Sequence, residues 1–430
     1  MIDVNPTYHS NQPTLEDNYD VIVVGGGPAG ATTGALVAEH GHKTLVLDRS
    51  PFPRFHVGES LIPETYWPLQ RLGLIDKLKQ SAFPQKYSVQ FVSDGSKISA
   101  PFYFHDHKDC DSSRTWQVVR GEFDNMLLQN ASDKGATTHT AAQVVEILFE
   151  GDRAVGVRVL LGEEKIEKTI KCTVVVDASG QSAFLANRLK LKEQDELLRK
   201  ATVWTYYKGA LRDPGRDEGC TIIMQTEGKN SWFWYIPLPD DVVSIGCTGN
   251  LKYMFGGKGR LPAGEIFQRE LTKCSALQDR LKDAERVHDY FTTKDFSYKS
   301  QEAAGEGWVL TGDAFGFIDP VYSSGVFLAM KSGEFAADAI HDAFEKNDFS
   351  GDVLGSWKDH YNDGVENFRK LVYAFYTPGF SFGKFLKEFP QYQSNLVDIL
   401  IGDVFKPEVG EMFDAMGEIK PPAEQEMAAV

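Results

Sequence analysis

The sequence predicts an α/β protein in which a parallel-sheet dinucleotide-binding unit is joined to an antiparallel sheet and a helical C-terminal cap. Three observations support this fold class. Two dense apolar runs, at residues 19–24 and 43–48, flank a glycine-rich turn and a helix of small residues. Residues 200–250 are rich in Thr, Tyr, Trp and Val, which is typical of antiparallel strands. Residues 356–416 carry aromatic pairs at helical spacing, which indicates packed helices.

Length and composition favour an ordinary folded protein with no nucleic-acid partner. At roughly 150 residues per domain, a chain of 430 residues allows two or three domains. The chain is 42% apolar and 25% charged, so it can bury a sizeable core. Acidic residues outnumber basic ones by 61 to 45, and the resulting formal charge of −16 opposes binding to a phosphate backbone.

The termini and the cysteines predict a cytoplasmic protein. The first residues lack the pattern of a signal peptide, and no apolar run approaches roughly 18 residues, so we expect no membrane span. The five cysteines are scattered without a Cys-x-x-Cys pair, so we expect a reducing compartment and no metal site. Residues 1–17 and 419–430 are expected to form flexible tails.

The elements of the dinucleotide-binding unit are expected in a regular order. Residues 19–24 form a β-branched run of the buried parallel-strand type. A helix of small residues is expected at 28–40, and a second buried strand at 43–48 completes a βαβ unit. Later elements expected from the same patterns are strands at 174–177 and 308–311 and a helix from Gly325 to about residue 346.

The glycine-rich turn matches Gly-x-Gly-x-x-Gly, a pattern that is weak alone and specific between a strand and a helix. Gly25 permits the tight turn, Gly27 lets the backbone approach a pyrophosphate, and Gly30 lets helix and strand pack closely. The helix N-terminus offers free N–H groups to phosphates. Asp48, at the end of the second strand, is placed to accept from ribose hydroxyls. The alternative is a tight βα turn without a ligand.

Downstream motifs favour FAD over a nicotinamide as the dinucleotide. Gly312 and Asp313 follow a buried strand, and the pair resembles one in flavin-dependent enzymes, which implies a second contact on a long flavin dinucleotide. Residues 119–124 (VRGEFD) and 177–180 (DASG) resemble recurrent motifs of flavin monooxygenases of the hydroxybenzoate-hydroxylase type. This resemblance implies the Rossmann-like FAD-binding fold of that group. A lone Gly-Asp after a strand is otherwise usually a turn.

Two arginines are candidates for contacts with this cofactor. Arg120 carries a guanidinium that can donate to the diphosphate, and Arg49 adjoins the acidic residue of the βαβ unit. The alternative for Arg120 is a salt bridge with Glu122 or Asp124.

Residues 232–237 (WFWYIP) carry the most specific motif of the chain, Trp-x-Trp-x-Ile-Pro. Together with Gly58-Glu59-Ser60 and the glycine turn, it resembles the signature of flavin-dependent halogenases over roughly residues 18–345. Trp232 and Trp234 are two apart on a strand and face the same side. By resemblance, they form with Ile236 and Pro237 a partition between the flavin and the substrate. The alternative is an aromatic pair in a strand core.

The resemblance implies that reduced FAD, O2 and chloride or bromide generate hypohalous acid, which a lysine then presents to an aromatic ring. Residues 83–88 (FPQKYS) match the family context of that lysine, although Ser88 stands where glycine is usual. Lys86 is therefore the predicted catalytic residue. As an ammonium it can hydrogen-bond the oxidant, and as a neutral amine it can form a haloamine. The alternative is a solvated lysine near Lys77 and Lys79.

The resemblance also places the halide and part of the flavin at the start of the helix after residue 323. The amides of Ser324 and Gly325 are expected to hold the halide, with Val326 beside the flavin, and N-capping by a serine is a compatible alternative. Tyr322 stands where tryptophan halogenases carry a glutamate, which favours the phenol or pyrrole branch. Other bases that remain open are Glu59, His105 and His107.

The expected organisation is a halogenase domain at 18–345, with a substrate-side sheet at 195–298, followed by a helical region at 346–418. The expected substrate is a phenol or pyrrole, either free or tethered to a carrier protein. An acidic carrier protein would need a basic patch as its docking site, and the candidates are Arg369, Lys370, Lys384 and Lys387. If those four residues are scattered, a free phenol is favoured. The sequence holds no second dinucleotide fingerprint, so a separate NAD(P)H flavin reductase is expected.

Three alternative functions remain open at this point. A flavin-dependent monooxygenase or hydroxylase, or an isoprenoid-reductase-like oxidoreductase, is compatible with the same fold. A flavin-binding sensor without catalysis is the third.

Overall fold

The computed structural model describes residues 13–256 and 261–422. Its strands, in chain order, are β1 (Asn18–Val24), β2 (Thr44–Leu47), β3 (Gln85–Lys86), β4 (Ser88–Val92), β5 (Phe102–Tyr103), β6 (Thr115–Trp116), β7 (Thr137–His139), β8 (Ala142–Glu150), β9 (Arg153–Leu161), β10 (Ile166–Asp177), β11 (Lys192–Gln194), β12 (Lys200–Lys208), β13 (Thr221–Gln225), β14 (Ser231–Pro237), β15 (Val242–Asn250), β16 (Glu285–Arg286), β17 (Phe291–Lys294), β18 (Tyr298–Ser300), β19 (Ala304–Gly305), β20 (Trp308–Leu310) and β21 (Gly316–Phe317).

The α-helices within the same residues are α1 (Pro28–Glu39), α2 (Tyr66–Arg71), α3 (Ile75–Lys79), α4 (Arg120–Asp133), α5 (Phe184–Arg188), α6 (Leu251–Phe255), α7 (Ala263–Leu271), α8 (Ser275–Arg280), α9 (Gly325–Lys346), α10 (Gly351–Leu354), α11 (Lys358–Tyr376), α12 (Phe382–Glu388), α13 (Gln393–Ile401) and α14 (Met412–Ala415). Short 3-10 turns connect several of these elements, among them Pro320–Tyr322 directly before α9.

The first sheet carries the βαβ unit that the sequence predicts. Its strand order is β19-β20-β10-β1-β2-β7, and the β8–β9 hairpin extends it from β10. β1 runs parallel to both neighbours, so that Val24 pairs with Asp177 on one side and with Leu47 on the other. The carboxyl ends of three strands therefore meet at one edge, where ligands bind in open α/β sheets. The predicted α/β architecture with its parallel βαβ unit is confirmed.

The second sheet is antiparallel along most of its length, with the order β16-β12-β15-β14-β13-β4-β5 and with β17 also on β12. The sequence places this sheet within residues 195–298. The structure extends it, because β4 pairs in parallel with β13 and β5 adds to β4. Both added strands come from residues 88–103. A pairing between segments so far apart in the chain leaves no local pattern in the sequence.

β14 separates two hydrophobic clusters because successive side chains of a strand point to opposite faces. Trp232, Trp234 and Ile236 face the core that also covers the first sheet. Phe233 and Tyr235 face a smaller cluster that includes Phe267 of α7. The second sheet is thus packed on both faces.

The C-terminal helices share the main core of the protein. Residues 346–418 contain α10 to α14. Phe368, Leu371 and Val372 of α11 are buried in the same cluster as the β1 residues Val21 and Val23. The cap therefore shares the main apolar core of the protein rather than having a core of its own.

The predicted flexible tails fall partly on residues 1–12 and 423–430, which lie outside the described residues. In the described parts of these two segments, individual residues contact the folded chain. Leu15 is buried in the main core, and its carbonyl accepts a hydrogen bond of 2.8 Å from the amine of Lys168. At the other end, Ile419 packs against the same core. Within the described ranges, every helix is too short or too polar to cross a membrane.

Candidate active site

The glycine turn between β1 and α1 has the geometry that the sequence predicts. Gly25 has a φ of +112°, and a Cβ there would lie 2.3 Å from the carbonyl oxygen of Ala178. A Cβ at Gly30 would lie 1.8 Å from the carbonyl oxygen of Gly25. Gly27 precedes the first residue of α1, and a Cβ there would have only the guanidinium of Arg54 nearby, at 3.3 Å. The turn therefore presents bare backbone and a helix N-terminus.

A central cleft of about 440 Å³ opens at this turn, between the two sheets. The predicted site residues that line it are Gly25, Gly27, Asp48, Arg49, Arg120, Trp234, Ile236, Asp313, Gly325 and Val326. The other predicted residues each adjoin or contact a lining residue: Gly30, Lys86, Trp232, Pro237, Gly312 and Ser324. The structure therefore brings the predicted residues together around one cleft.

Asp48 holds the glycine turn as well as facing the cleft. One carboxylate oxygen accepts from the N–H of Gly26 at 2.8 Å, and the other accepts from the N–H of Ser50 at 2.9 Å. Each oxygen has a second lone pair that is available to a ligand hydroxyl. Arg49 is exposed at the edge of the same cleft.

Arg120 makes the salt bridge that the sequence left as an alternative. Its Nε and Nη2 donate to the two carboxylate oxygens of Asp124 at 2.8 and 3.1 Å. Its Nη1 donates to the carbonyl oxygen of Val57 at 2.6 Å. Most of the guanidinium is therefore committed to protein partners, and Arg120 fixes the wall of the cleft.

Arg54 is a cleft residue that the sequence reasoning missed. Its guanidinium donates to Asp124 at 3.0 Å and lies 3.8 Å from the carboxylate of Asp48. It lines the cleft next to Gly27, at the N-terminus of α1. The available signal was a basic residue in the short segment after the second strand of the βαβ unit. That signal is weak, because arginines in loops are common.

Asp313, of the Gly-Asp pair after β20, lines the central cleft as well. Gly312 has a φ of +58°, and its N–H donates to the hydroxyl of Ser332 at 2.8 Å. A Cβ at Gly312 would lie 2.7 Å from Ala29 of α1. Burial raises the pKa of Asp313 to about 6, against the opposing influence of Arg120. The close approach of the two segments explains why glycine is required here.

The start of α9 provides the expected anion-binding groups. Ser323 has a φ of +56°, Ser324 is buried, and α9 begins at Gly325. The side chain of Ser324 makes no capping hydrogen bond, so the N-capping alternative is not observed for it. The N–H groups of the first helical turn have no acceptor within the helix. Gly325 and Val326 present this turn to the central cleft.

A second, much smaller cavity lies beside the same helix start. Its volume is about 10 Å³, and Gly312, Ser324 and Gly325 are among the residues that line it. This is about the space that one water molecule occupies.

The Trp-x-Trp-x-Ile-Pro strand forms a wall of the cleft. The two indole rings lie on one face with centroids 6.2 Å apart. Trp234 packs over Gly246 of β15, where a Cβ would lie 2.2 Å from the ring. Trp232 packs edge to face against Phe375 of α11 at 6.1 Å, and Pro237 ends the strand. Trp234 and Ile236 therefore line the cleft from the same face of the strand on which Trp232 contacts the C-terminal cap.

Lys86 is buried, with 2% of its surface exposed, which excludes the solvated alternative. Its amine donates to the hydroxyl of Ser60 and to the carbonyl of Leu61, both at 2.9 Å. The ring of Phe104 lies 5.7 Å from the amine. Burial lowers the pKa of Lys86 to about 7. A buried lysine of this kind has a neutral amine available near neutral pH.

The other candidate bases are held by protein partners. Glu59 is buried and accepts from the hydroxyl of Tyr206 at 2.6 Å, and burial raises the pKa of its carboxyl. His107 lies 2.9 Å from Asp398 of α13, and His105 is exposed beside Asp109. Glu59 alone of these lines the central cleft.

Tyr322 fills the position where a glutamate would stand in tryptophan halogenases. Its hydroxyl donates to the carbonyl of Leu371 in a long hydrogen bond of 3.5 Å, and its ring packs edge to face on Phe375. The position is therefore part of the contact between the helix start and the C-terminal cap.

The predicted basic patch on the C-terminal cap is wrong in one of its four members. Arg369 is buried, and its guanidinium donates to Asp195 at 2.7 Å and to Glu366 at 2.9 Å. Lys370, Lys384 and Lys387 are exposed. The spacing in the sequence did not distinguish the helix face that turns inward.

In the described parts of the chain, no three His, Cys, Asp or Glu side chains cluster as a metal site would require.

Comparisons with known proteins identify the family to which the chain is similar. A family model described as an FAD binding domain matches residues 18–231. The chain is 31% identical over 426 residues to a 1H-pyrrole-2-carbonyl-(peptidyl-carrier protein) chlorinase of Pseudomonas fluorescens, covering 94% of this chain and 93% of that protein. It is 30% identical over 397 residues to the corresponding brominase of Pseudoalteromonas luteoviolacea, covering 90% and 93%.

A solved structure agrees with these two relatives. The flavin-dependent brominase Bmp2 superposes with a TM-score of 0.81 at 28% identity, covering 93% of this chain and 98% of that one. The likeness extends over nearly the whole of both chains.

Proposed function

The chain belongs to the flavin-dependent halogenases, and we propose that its substrate is a pyrrole carried as a thioester on a peptidyl carrier protein. It uses FAD, O2 and chloride or bromide to halogenate an aromatic ring. Two relatives that match over nine-tenths of both chains carry the pyrrolyl-carrier substrate in their names, and this observation carries the proposal. Tyr322 supports the proposal, because it stands where tryptophan halogenases carry a glutamate for a ring that is not strongly activated, such as indole.

The hydroxylase and isoprenoid-reductase alternatives are not favoured, because both of these relatives are halogenases by name. A free phenol is less favoured as substrate, because both relatives are named for a carrier-bound pyrrole. A free phenol was favoured if the four basic residues were scattered, but the match to the two carrier-dependent relatives extends over nine-tenths of both chains. A carrier protein would then dock through contacts other than a four-residue basic patch.

The residues of the central cleft fit FAD in four respects. The glycine turn leaves bare backbone where Gly25 and Gly27 line the cleft, and the N-terminus of α1 opens onto it. Asp48 keeps lone pairs for a ribose hydroxyl, and Arg54 supplies a cation beside the helix start. The remaining residues in this proposed site are Gly30, Arg49, Arg120, Gly312, Asp313 and Val326. Bound FAD, once reduced, supplies the electrons with which O2 converts halide into hypohalous acid.

The halide is assigned to the amides of Ser324 and Gly325. Ser324 leaves the first turn of α9 uncapped, and that turn faces the cleft. Backbone N–H groups and a helix dipole stabilise an anion without adding a charged side chain. The site therefore suits a small halide in a protein whose overall charge is −16.

Lys86 is assigned as the catalytic residue on the far side of the cleft wall. Ser60 lines the cleft, and its hydroxyl accepts from the amine of Lys86. The lysine therefore lies one side chain behind the wall. Trp232, Trp234, Ile236 and Pro237 complete the partition and keep the aromatic substrate from the flavin. The pKa of about 7 favours a neutral amine that takes up the halogen.

A separate NAD(P)H flavin reductase is proposed as the source of reduced FAD, because the sequence holds a single dinucleotide fingerprint. A cytoplasmic location is proposed from the cysteines, since all five are free.

A substrate panel tests the proposal. The purified chain would be supplied with a flavin reductase, NADH, FAD and chloride or bromide. Three substrates are compared, namely a pyrrolyl carrier protein, free pyrrole-2-carboxylate and a simple phenol. We expect halogen incorporation, detected by mass spectrometry, only with the carrier-bound pyrrole. If the free phenol is halogenated and the carrier-bound pyrrole is left unmodified, the substrate assignment is contradicted.

A further inference from the structure

A line of hydrogen bonds joins the Trp-x-Trp-x-Ile-Pro strand to the start of α9 by way of the C-terminal cap. The indole Nε1 of Trp232 donates to the hydroxyl oxygen of Tyr376 at 2.8 Å. The hydroxyl of Tyr376 in turn donates to Oδ2 of Asp319 at 3.1 Å. Tyr376 is the last residue of α11, so the cap supplies the middle member of this line.

Asp319 controls the turn that leads to the proposed halide site. Its Oδ1 accepts from the N–H of Val321 at 2.9 Å, which caps the 3-10 turn Pro320–Tyr322. Ser323 follows in the left-handed region, and Ser324 and Gly325 come next. A serine in this region persists only where its surroundings hold it. The direction of the Ser324 and Gly325 amides therefore depends on how firmly the preceding turn is fixed.

Asp319 itself is buried and needs partners to remain in place. Its second oxygen has the Tyr376 hydroxyl as donor, and the amine of Lys200 lies 3.7 Å above the ring of Tyr376. Burial raises the pKa of Asp319 to about 6, which Val321, Lys200 and Tyr376 oppose and Asp195 reinforces. Without the tyrosine hydroxyl, one carboxylate oxygen loses its donor and the turn loses a restraint.

The same face of α11 offers an internal comparison. Tyr373 lies one turn before Tyr376 and also donates its hydroxyl to a buried carboxylate, at 2.8 Å. That carboxylate belongs to Asp195, which precedes a different 3-10 turn, Glu196–Leu198. Two tyrosines of one helix thus make the same kind of hydrogen bond, and only one of them reaches the turn before the proposed halide site.

We propose that Tyr376 is a positioning residue for halide binding, because its hydrogen bond to Asp319 holds the turn that aims the Ser324 and Gly325 amides. The inference rests on the proposed halide site. It adds that the C-terminal cap sets the affinity for halide without contacting the ion.

The test compares Tyr376→Phe with Tyr373→Phe, each of which removes one hydroxyl from α11. The dependence of halogenation on halide concentration gives kcat and KM for halide, and flavin fluorescence gives the Kd for FAD. We expect Tyr376→Phe to raise the halide KM about tenfold, the effect of losing one hydrogen bond to a charged acceptor. Its kcat at saturating halide and its Kd for FAD stay within about twofold of wild type, and Tyr373→Phe keeps the wild-type halide KM.

An unchanged halide KM in Tyr376→Phe, or an equal rise in both variants, would overturn the inference. Asp319→Asn is the second variant, and it is expected to raise the halide KM in the same way, which keeps the test decisive if Tyr376→Phe does not fold. A wild-type chain that incorporates no halogen at any halide concentration would contradict the proposed function itself. The two failures are therefore distinguishable.

Discussion

The amine of Lys86 lies 2.9 Å from the hydroxyl of Ser60, and only Ser60 lines the central cleft. The two residues thus form a contact across the cleft wall, with the proposed flavin site on one side and a buried lysine on the other. Because burial lowers the pKa of Lys86 to about 7, this lysine changes its charge within the working range of most enzymes.

The first prediction concerns the pH dependence of halogenation. If the neutral amine takes up the halogen, the rate of product formation rises between pH 6 and pH 8 with an apparent pKa of about 7. Rates would be measured at saturating halide and with excess flavin reductase, so that neither supply step limits turnover. Lys79→Ala is the control, since Lys79 is an exposed lysine paired with Asp111. A rate that falls over this range would indicate that the ammonium is the active form.

The second prediction concerns stability. An unfolded lysine keeps its proton up to a pKa of 10.5, so between pH 7 and pH 10.5 the unfolded chain binds a proton that the folded chain has lost. Folding stability therefore rises with pH through this window, and the full cost of burying Lys86 is present below pH 7. The slope is at most roughly 1.4 kcal/mol per pH unit and falls near pH 7, so the stability of Lys86→Met relative to wild type should rise by about 2 kcal/mol when the pH falls from 9 to 7.

Denaturant unfolding at both pH values measures this difference. A stability difference between Lys86→Met and wild type that stays constant with pH would contradict the shifted pKa.

The third prediction concerns the glycine turn. A Cβ at Gly30 would lie 1.8 Å from a backbone oxygen, so Gly30→Ala must displace α1 from β1. We expect a loss of at least about 3 kcal/mol in the free energy of unfolding, at the upper end for overpacking, and at least about tenfold weaker FAD binding. Gly95→Ala is the matched control, because a Cβ there meets its nearest atom only at 4.0 Å. Equal FAD affinities in the two variants would show that the turn does not form the cofactor site.

The fourth prediction separates two arginines of the cleft. Arg54→Met should weaken FAD binding about tenfold, because Arg54 lies beside Gly27, where we propose that the diphosphate binds. Arg120→Met should instead lower the free energy of unfolding by about 3 kcal/mol, since it removes the bidentate partner of the buried Asp124. Flavin fluorescence titrations and thermal melts distinguish the two effects. Loss of FAD affinity in Arg120→Met with unchanged stability would reverse the assignment.

Much of the fold and part of the site follow from local patterns in the sequence. The glycine turn, the start of α9 and the faces of β14 each depend on residues within a few positions of one another, and the structure places them as expected. Short-range steric rules determine these features, so a single sequence contains them.

The features that the sequence did not reveal depend on contacts between distant segments. Arg54 is a cleft residue only because its loop folds back over Gly27, and Arg369 is buried only because Asp195 faces α11. The contact of Tyr376 with Asp319 likewise joins two parts of the chain that no local pattern connects. Such contacts are set by tertiary packing rather than by spacing.

Intact-protein mass spectrometry of a pyrrolyl carrier protein is the most direct test of the account. The carrier would be incubated with FAD, a flavin reductase, NADH, O2 and chloride or bromide, together with either the wild-type chain or Lys86→Ala. We predict that the wild-type chain replaces hydrogen by halogen on the carrier-bound ring, with the isotope pattern of the halide supplied, and that Lys86→Ala leaves the carrier unchanged while still binding FAD. A carrier that gains oxygen instead of halogen, or equal halogenation by both proteins, would contradict it.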